Sequence, residues 1–186
     1  QRYGYVFVQG VDAAAAELKL TDVKLNYAYG NQFYGDADIT AAMDTWYAGG
    51  TEVVFACGGG IYTSAVDAAK KAEGAKVIGV DVDQAGVIAN YAAGEGADAA
   101  TVEGYKALTV TSAMKGLYPA TYDTLTDVIV NGNWEKYSAK IDTLGLVSAA
   151  DPAANYVQIP MESTQWGDTF TQDDYKALVK AMYDGE

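Results

Sequence analysis

Apolar residues recur at helical spacing along several stretches of the chain. In the opening stretch Phe7, Val11 and Leu18 share one face of an amphipathic helix that is expected to pack on a sheet. The same spacing predicts further helices over Ala37–Tyr47, Ile61–Ala72, Ser112–Val130 and Phe170–Tyr183. A weaker pattern over Ala85–Tyr105 indicates a partly helical excursion with a loop.

Residues typical of helix ends sharpen these boundaries. Asp38 and Ser112 are placed as N-caps, and Thr171 with Asp174 resembles a capping box. Pro119 requires a break or kink within the predicted helix that begins at Ser112, because proline removes a backbone donor.

Strand-length apolar runs separate the helices. Val53–Cys57 and Lys76–Val80 are continuous runs, which is typical of parallel strands covered on both faces. Shorter or alternating runs predict strands over Val23–Tyr29, Leu108–Thr111, Ala139–Ser148 and Tyr156–Met161. Helices that alternate with buried strands predict an α/β fold, a parallel-sheet αβα sandwich with right-handed crossovers.

Composition and charge narrow the function classes. The 186 residues are 50% apolar and carry a formal net charge of −13, which argues against a nucleic-acid partner because phosphate binding needs clustered Lys and Arg. The chain has no histidine and one cysteine, Cys57, which we expect to pack at a strand end. We therefore predict no catalytic residue, no metal site and no cofactor. No apolar run approaches the roughly 20 residues that span a bilayer.

Two carboxylates follow the second buried strand. Asp81 and Asp83 lie where ligands bind in open parallel sheets, at the carboxyl end of a strand. Asp81 suits the acceptance of hydrogen bonds from adjacent hydroxyls, as in a sugar. Equally, one of the two residues can cap the next helix while the other is solvated. Alternation along an extended segment points them in opposite directions, which makes a poor acid–base dyad.

Three further positions are candidates for ligand contact. The turn Gly58, Gly59 and Gly60 allows close backbone approach to a ligand, although tight strand-to-helix turns use glycine as well. Phe33 lies in a Gly-bounded loop and suits stacking on a planar ligand, or else covers a sheet edge. Lys115 follows Ser112 by one helical turn and either reaches a ligand hydroxyl or is solvated.

The motifs GTEVVFACGGG, KVIGVDVDQ and TVTSAMKG resemble those of the basic-membrane-protein family of bacterial lipoproteins. The resemblance continues in RYGYVFVQGVDAAA, in YGNQFYGD and in the tail YVQIPMESTQWGDTFTQDDYKAL. Members of this family are the purine-nucleoside-binding components of ABC importers. They have the type I periplasmic-binding-protein fold, in which the nucleoside lies between two lobes.

The resemblance implies a role for each candidate residue. Phe33 matches the aromatic residue that stacks on the purine, Asp81 the aspartate that binds ribose hydroxyls, and Lys115 the lysine that supports the ribose. Gly58–Gly60 matches the turn that lines the cleft.

The resemblance also implies an organisation of the chain. Residues 1–111 correspond to the second, C-terminal lobe without its first strand, 112–134 to a helix that returns to an absent first lobe, and 135–186 to C-terminal strands and a helix. We expect a fragment of a solute-binding protein at the cell surface or in the periplasm, with its lipid anchor in the full-length parent. Expected partners are a purine nucleoside, the membrane permease and the missing lobe. Alternatives are the ligand-sensing domain of a regulator with this fold and a nucleoside hydrolase.

Overall fold

The computed structural model describes residues 2–185. Its strands are Val53–Phe55 (β1), Lys76–Asp81 (β2), Thr109–Lys115 (β3) and Val157–Gln158 (β4). The α-helices are Arg2–Leu18 (α1), Ala37–Ala48 (α2), Tyr62–Ala69 (α3), Ala85–Ala93 (α4), Ala99–Tyr105 (α5), Leu117–Leu125 (α6), Trp134–Tyr137 (α7) and Gln172–Asp184 (α8). A π-helical stretch, Thr126–Val130, continues α6.

The strands form an open four-stranded sheet in the order β1-β2-β3-β4. The sheet is mostly parallel, and β4 joins it antiparallel to β3 with Met114 opposite Gln158 and Lys115 opposite Val157. The predicted α/β class is therefore confirmed, and the arrangement is compatible with an αβα sandwich.

The chain divides into two compact units within β2, between Val77 and Ile78. In the first unit α2 and α3 pack together, and their buried residues include Met43, Val66 and Tyr47. The Tyr47 hydroxyl donates to the carbonyl of Lys76 at 2.7 Å. Desolvation raises the pKa of this phenol well above its usual value. Apolar burial and one satisfied polar group thus hold α2 against the start of β2.

The opening helix follows its prediction. In α1 no residue is fully buried, but Tyr3 and Phe7 bring their rings to 6.2 and 5.2 Å from the ring of Phe55 in β1. The part of the amphipathic face that includes Phe7 therefore packs on the first strand as predicted, whereas Leu18 at the end of the helix is 60% exposed.

In the second unit the fully buried apolar residues come mainly from β2 and α4, with Val80 and Ile88 among them. The last helix, α8, buries Tyr175 and Val179. Its predicted capping box is confirmed: Thr171 and Asp174 exchange side-chain and backbone hydrogen bonds at the first turn.

The prediction of a strand over Val23–Tyr29 is wrong. The segment is not in a strand, and within residues 2–185 no backbone–backbone hydrogen bond involves it. Its alternating apolar side chains are exposed: Val23, Leu25, Tyr27 and Tyr29 have exposed fractions of 46, 43, 57 and 62%. A β-strand is defined by backbone hydrogen bonds to a neighbouring strand, and an alternating apolar pattern does not by itself provide such a partner.

The prediction of a helix from Ser112 is also wrong at its start. Residues 112–115 belong to β3, and the helix begins only at Leu117, after Gly116. Pro119 therefore lies in the first turn of α6, where proline is tolerated, and no kink is required. Strand β3 is consequently longer than the predicted Leu108–Thr111.

Further boundaries differ for local reasons. The N-cap of α2 is Asp36, whose side chain accepts from the amide of Ile39, and Asp38 lies inside the helix. The strand predicted over Val53–Cys57 ends at Phe55, and it is not covered on both faces, because Val53 is 40% exposed. Cys57, which was expected to pack at the strand end, is exposed.

Two predicted late strands are also corrected. The stretch 139–148 contains no strand, and at its end the side chain of Asn155 accepts hydrogen bonds from the amides of Val147 and Ser148. Of the strand predicted over Tyr156–Met161, only Val157–Gln158 forms.

Candidate functional site

Two of the predicted residues, Asp81 and Lys115, come together at the ends of neighbouring strands. The Lys115 ammonium lies 2.7 Å from Oδ1 of Asp81, and the side chains are 49% and 33% exposed. Lys115 is the last residue of β3 and not a helical residue as predicted, whereas Asp81 ends β2 as expected. The pair is therefore both preformed and open to solvent.

The backbone at Asp81 is strained. Its φ of 70° lies in the left-handed region, which non-glycine residues rarely adopt. The amide of Val82 donates to the carbonyl of Val80 at 2.8 Å, so a γ-turn of the unfavourable positive-φ form is centred on Asp81. Such outliers persist only where the surroundings hold them, and they concentrate at functional sites. This observation supports Asp81 independently of any sequence motif.

Buried polar side chains hold this turn. Oε1 of Gln84 accepts from the amide of Val80 at 2.9 Å, and the amide of Gln84 donates to Oγ of Ser112 at 3.1 Å. Gln84 is 4% exposed and Ser112 is fully buried. Neither role was predicted from the sequence. Gln84 was given no role there, and Ser112 was predicted only as a helix N-cap. The sequence did contain a signal for Gln84, which is an uncharged polar residue directly between the two aspartates around the end of β2 and the apolar helix α4.

Asp83 has a different task from Asp81. Its Oδ1 accepts from the amide of Ala85 at the start of α4, and its Oδ2 accepts from the Ser163 hydroxyl at 2.7 Å. One aspartate thus caps the helix while the other is paired with a lysine, and the two do not form an acid–base dyad.

Phe33 and the glycine turn are joined in the first unit. The amide of Gly60 donates to the carbonyl of Phe33 at 2.6 Å, and Tyr34 forms an isolated parallel bridge with Gly60. A Cβ on Gly60 would lie 3.2 Å from that carbonyl, so glycine allows the close approach. The Phe33 side chain is 79% exposed and covers no core.

Two amides of the glycine turn donate to carbonyl groups of the protein itself. The amide of Gly58 donates to the carbonyl of Ala56, and that of Gly60 is used by Phe33. Gly59 also takes part in an interaction. The amides of Gly58 and Gly60 are therefore engaged within the protein, and the turn's clearest contribution is to position the loop that carries Phe33.

The described residues contain neither a metal-ligand cluster nor a membrane-spanning helix. Within residues 2–185 no group of three or more His, Cys, Asp or Glu side chains could hold a metal ion. In the same range no helix combines the length and the apolarity that a bilayer crossing requires.

A second polar cluster lies around Asp127 in the second unit. Its carboxylate accepts from four donors, the side chains of Asn131, Asn133, Lys136 and Tyr137. These bonds, that of Lys136 first, lower the pKa of Asp127 far below its usual value. The cluster borders a cavity of about 320 Å³. Because four donors already occupy the acceptor sites of this carboxylate, we interpret the cluster as a structural one that links the π-helical stretch to α7.

Comparison of the chain with models of protein families, with curated proteins and with solved structures gave no match.

Proposed function

We propose that this chain is part of an extracytoplasmic solute-binding protein that captures a purine nucleoside for an ABC importer. In this proposal the chain is a member of the basic-membrane-protein family and forms a lobe of the type I periplasmic-binding-protein fold. The observation that carries the proposal is the Asp81–Lys115 pair, 2.7 Å apart at strand ends, with Asp81 held in a strained turn.

The chemistry of the pair suits a vicinal diol. A carboxylate accepts hydrogen bonds and an ammonium group donates them, and a vicinal diol can both donate and accept, so the two groups suit the two sides of a diol. Asp81 accepts from ribose hydroxyls and Lys115 donates to a ribose oxygen. The exposed ring of Phe33 supplies a face on which a purine stacks, an interaction worth about 1–3 kcal/mol for bases. Each of these roles is a non-covalent contact, so we propose a binding protein and not an enzyme.

Calorimetric titration of the full-length protein with inosine, guanosine and adenosine tests the proposal. We expect binding of at least one nucleoside and weaker binding of its 2′,3′-dideoxy analogue, which lacks the diol. Asp81→Asn should weaken binding by more than about tenfold, since a hydrogen bond to a charged group is worth about 1.5–3 kcal/mol.

Asp44→Asn is the matched control. Asp44 forms an exposed pair with Lys71 at the same 2.7 Å, and its loss should leave affinity unchanged. Binding of a sugar or a peptide in place of every nucleoside would overturn the purine assignment. Release of free base during incubation would favour a hydrolase instead.

A further inference from the structure

The strained turn at Asp81 needs an explanation, because the hydrogen bond that closes it does not offset an unfavourable φ on a non-glycine residue. The nearest residue that could stabilise the turn is Gln84, which follows it and occupies the N-cap position of α4. Its side chain makes no capping bond to α4, a task that Asp83 performs. Gln84 instead reaches back along the chain to the amide of Val80.

This reach gives a buried backbone amide a side-chain partner. The amide of Val80 is the last one before the turn, Val80 is 2% exposed, and its bond to Oε1 of Gln84 is 2.9 Å. An amide buried at this depth is costly to leave without a partner. The bond therefore fixes the point at which β2 ends and the turn begins.

The backbone of Gln84 fixes the same loop to β3. Its amide donates to Oγ of Ser112, and Ser112 lies on the strand that ends at Lys115. Glycine at position 79 makes room for this link, since a Cβ there would lie 2.6 Å from Oγ of Ser112 and 2.8 Å from Cβ of Gln84. One residue thus ties the turn carrying Asp81 to the strand carrying Lys115.

We propose that Gln84 is the positioning residue of the Asp81–Lys115 pair: its side chain holds Asp81 in the positive-φ turn, and its amide, through Ser112, sets the register that brings the carboxylate to Lys115. The inference deepens the proposed function and relies on it only in treating the pair as the ligand-binding element. The geometry of the pair itself can be measured without a ligand.

The test is nuclear magnetic resonance of the free protein with the variants Gln84→Met and Gln84→Glu. Methionine keeps the length of the side chain and removes the acceptor, whereas glutamate keeps the acceptor. A positive φ shortens the distance between the amide and α hydrogens of one residue, which gives a strong intraresidue Overhauser signal. We expect this signal at Asp81 in the natural protein and in Gln84→Glu, and its loss in Gln84→Met.

Ile88→Val is the control for general loss of stability. Ile88 is fully buried in α4, so the variant is less stable while Gln84 is untouched, and the Asp81 signal should persist. If Gln84→Met does not fold, Ser112→Ala carries the test, because it removes the acceptor of the Gln84 amide, and the Asp81 signal should weaken there. An unchanged signal in the folded acceptor-deleting variant would overturn the inference.

Affinity for inosine separates this inference from the proposed function. If the natural protein binds inosine, Gln84→Met should weaken binding at least tenfold, Gln84→Glu should restore most of it, and Ile88→Val should leave it unchanged. If nothing binds but the Asp81 signal responds to Gln84 as expected, the positioning role stands and the nucleoside proposal fails. If inosine binds equally to all variants, the positioning role fails and the nucleoside proposal stands.

Discussion

The loops that carry Asp81 and Phe33 are held in different ways. Buried side chains of Gln84 and Ser112 and a tight glycine hold the turn at Asp81. Phe33 instead follows the segment 23–29, which makes no backbone–backbone hydrogen bond in the described part of the chain. The loop of Phe33 is held by the bridge at Gly60 and by a side-chain hydrogen bond from Gln32 to Asp36 that is exposed to solvent.

This contrast matches the two kinds of interaction proposed for these residues. Hydrogen bonds from a carboxylate and an ammonium group weaken steeply when distance or angle is wrong. Stacking on a ring tolerates more displacement, because every base presents a π-face. Under the proposed function, the residue that binds by hydrogen bonds is therefore the one that buried polar side chains support.

Hydrogen exchange offers the largest expected difference between the two regions. Amides of 23–29 should exchange nearly as fast as in an unfolded chain, while those of β3 should be at least about 1000-fold slower, since each tenfold is 1.4 kcal/mol of opening free energy. Mass-spectrometric or magnetic-resonance exchange measures both in one experiment. Protected amides over 23–29 would show that this segment is paired in solution and would end the comparison.

Gly79→Ala should cost about 1–3 kcal/mol of unfolding free energy, because the new Cβ would meet Ser112 and Gln84 in a packed interior. Gly86→Ala is the matched control in the helix that follows: no atom lies within 4 Å of its added Cβ, and a gain of about 0.5–1 kcal/mol is expected. Urea unfolding measures both. A neutral Gly79→Ala would mean that the support of Asp81 is loose.

Asp127→Asn asks whether a carboxylate network governs acid sensitivity. The folded-state pKa of Asp127 is depressed, so its contribution to stability is present above the ordinary carboxyl value of about 3.9 and is lost as pH falls toward the folded value. The variant should be less stable at neutral pH and lose less stability on acidification, as followed by urea midpoints. Asp173→Asn, which removes an exposed pair with Lys176, should change neither quantity noticeably.

Thr109→Val measures how much stability is lost by burying a hydroxyl group without a hydrogen-bond partner, in comparison with a nearby hydroxyl that has one. The hydroxyl of Thr109 is buried without a hydrogen-bond partner in the described residues, so replacing it with a methyl group should stabilise the protein by about 1 kcal/mol. Thr111→Val is the opposite case, because Thr111 shares a 2.7 Å hydrogen bond with Thr164, and it should destabilise. Thermal unfolding of the two variants gives the comparison directly.

Phe33→Ala should have the smallest effect on folding, within about 0.5 kcal/mol, because the ring is 79% exposed. Under the proposed function it should nevertheless weaken nucleoside binding. A large loss of stability would mean that the ring packs in solution, and the stacking role would then lose its support.

Local patterns anticipated much of the second unit's chemistry. The capping box at Thr171 and a strand over Lys76–Val80 followed by Asp81 were both predicted. Asp81 and Asp83 do have distinct contacts, but a γ-turn at Asp81, and not alternation along an extended segment, separates them. Prediction failed where the outcome depended on a distant partner. Ser112 has the residue type of a helix cap, yet it lies in a strand because β3 pairs within the sheet.

By itself the sequence determined most of the longer helices, the places of β1 and β2 in the chain and the residue types at the end of β2. Helical hydrogen bonds join residues four positions apart, and a cap is one residue from its helix, so such features are readable locally. Only the tertiary structure decided that 23–29 stays unpaired, that Ser112 and Lys115 lie on a strand, and that Gln84 holds the turn at Asp81. Strand pairing and the bond of the Gln84 amide to Ser112 join residues far apart along the chain, and no local pattern identifies such partners. The bond between Gln84 and Val80 spans only four residues, but no common local motif announces it.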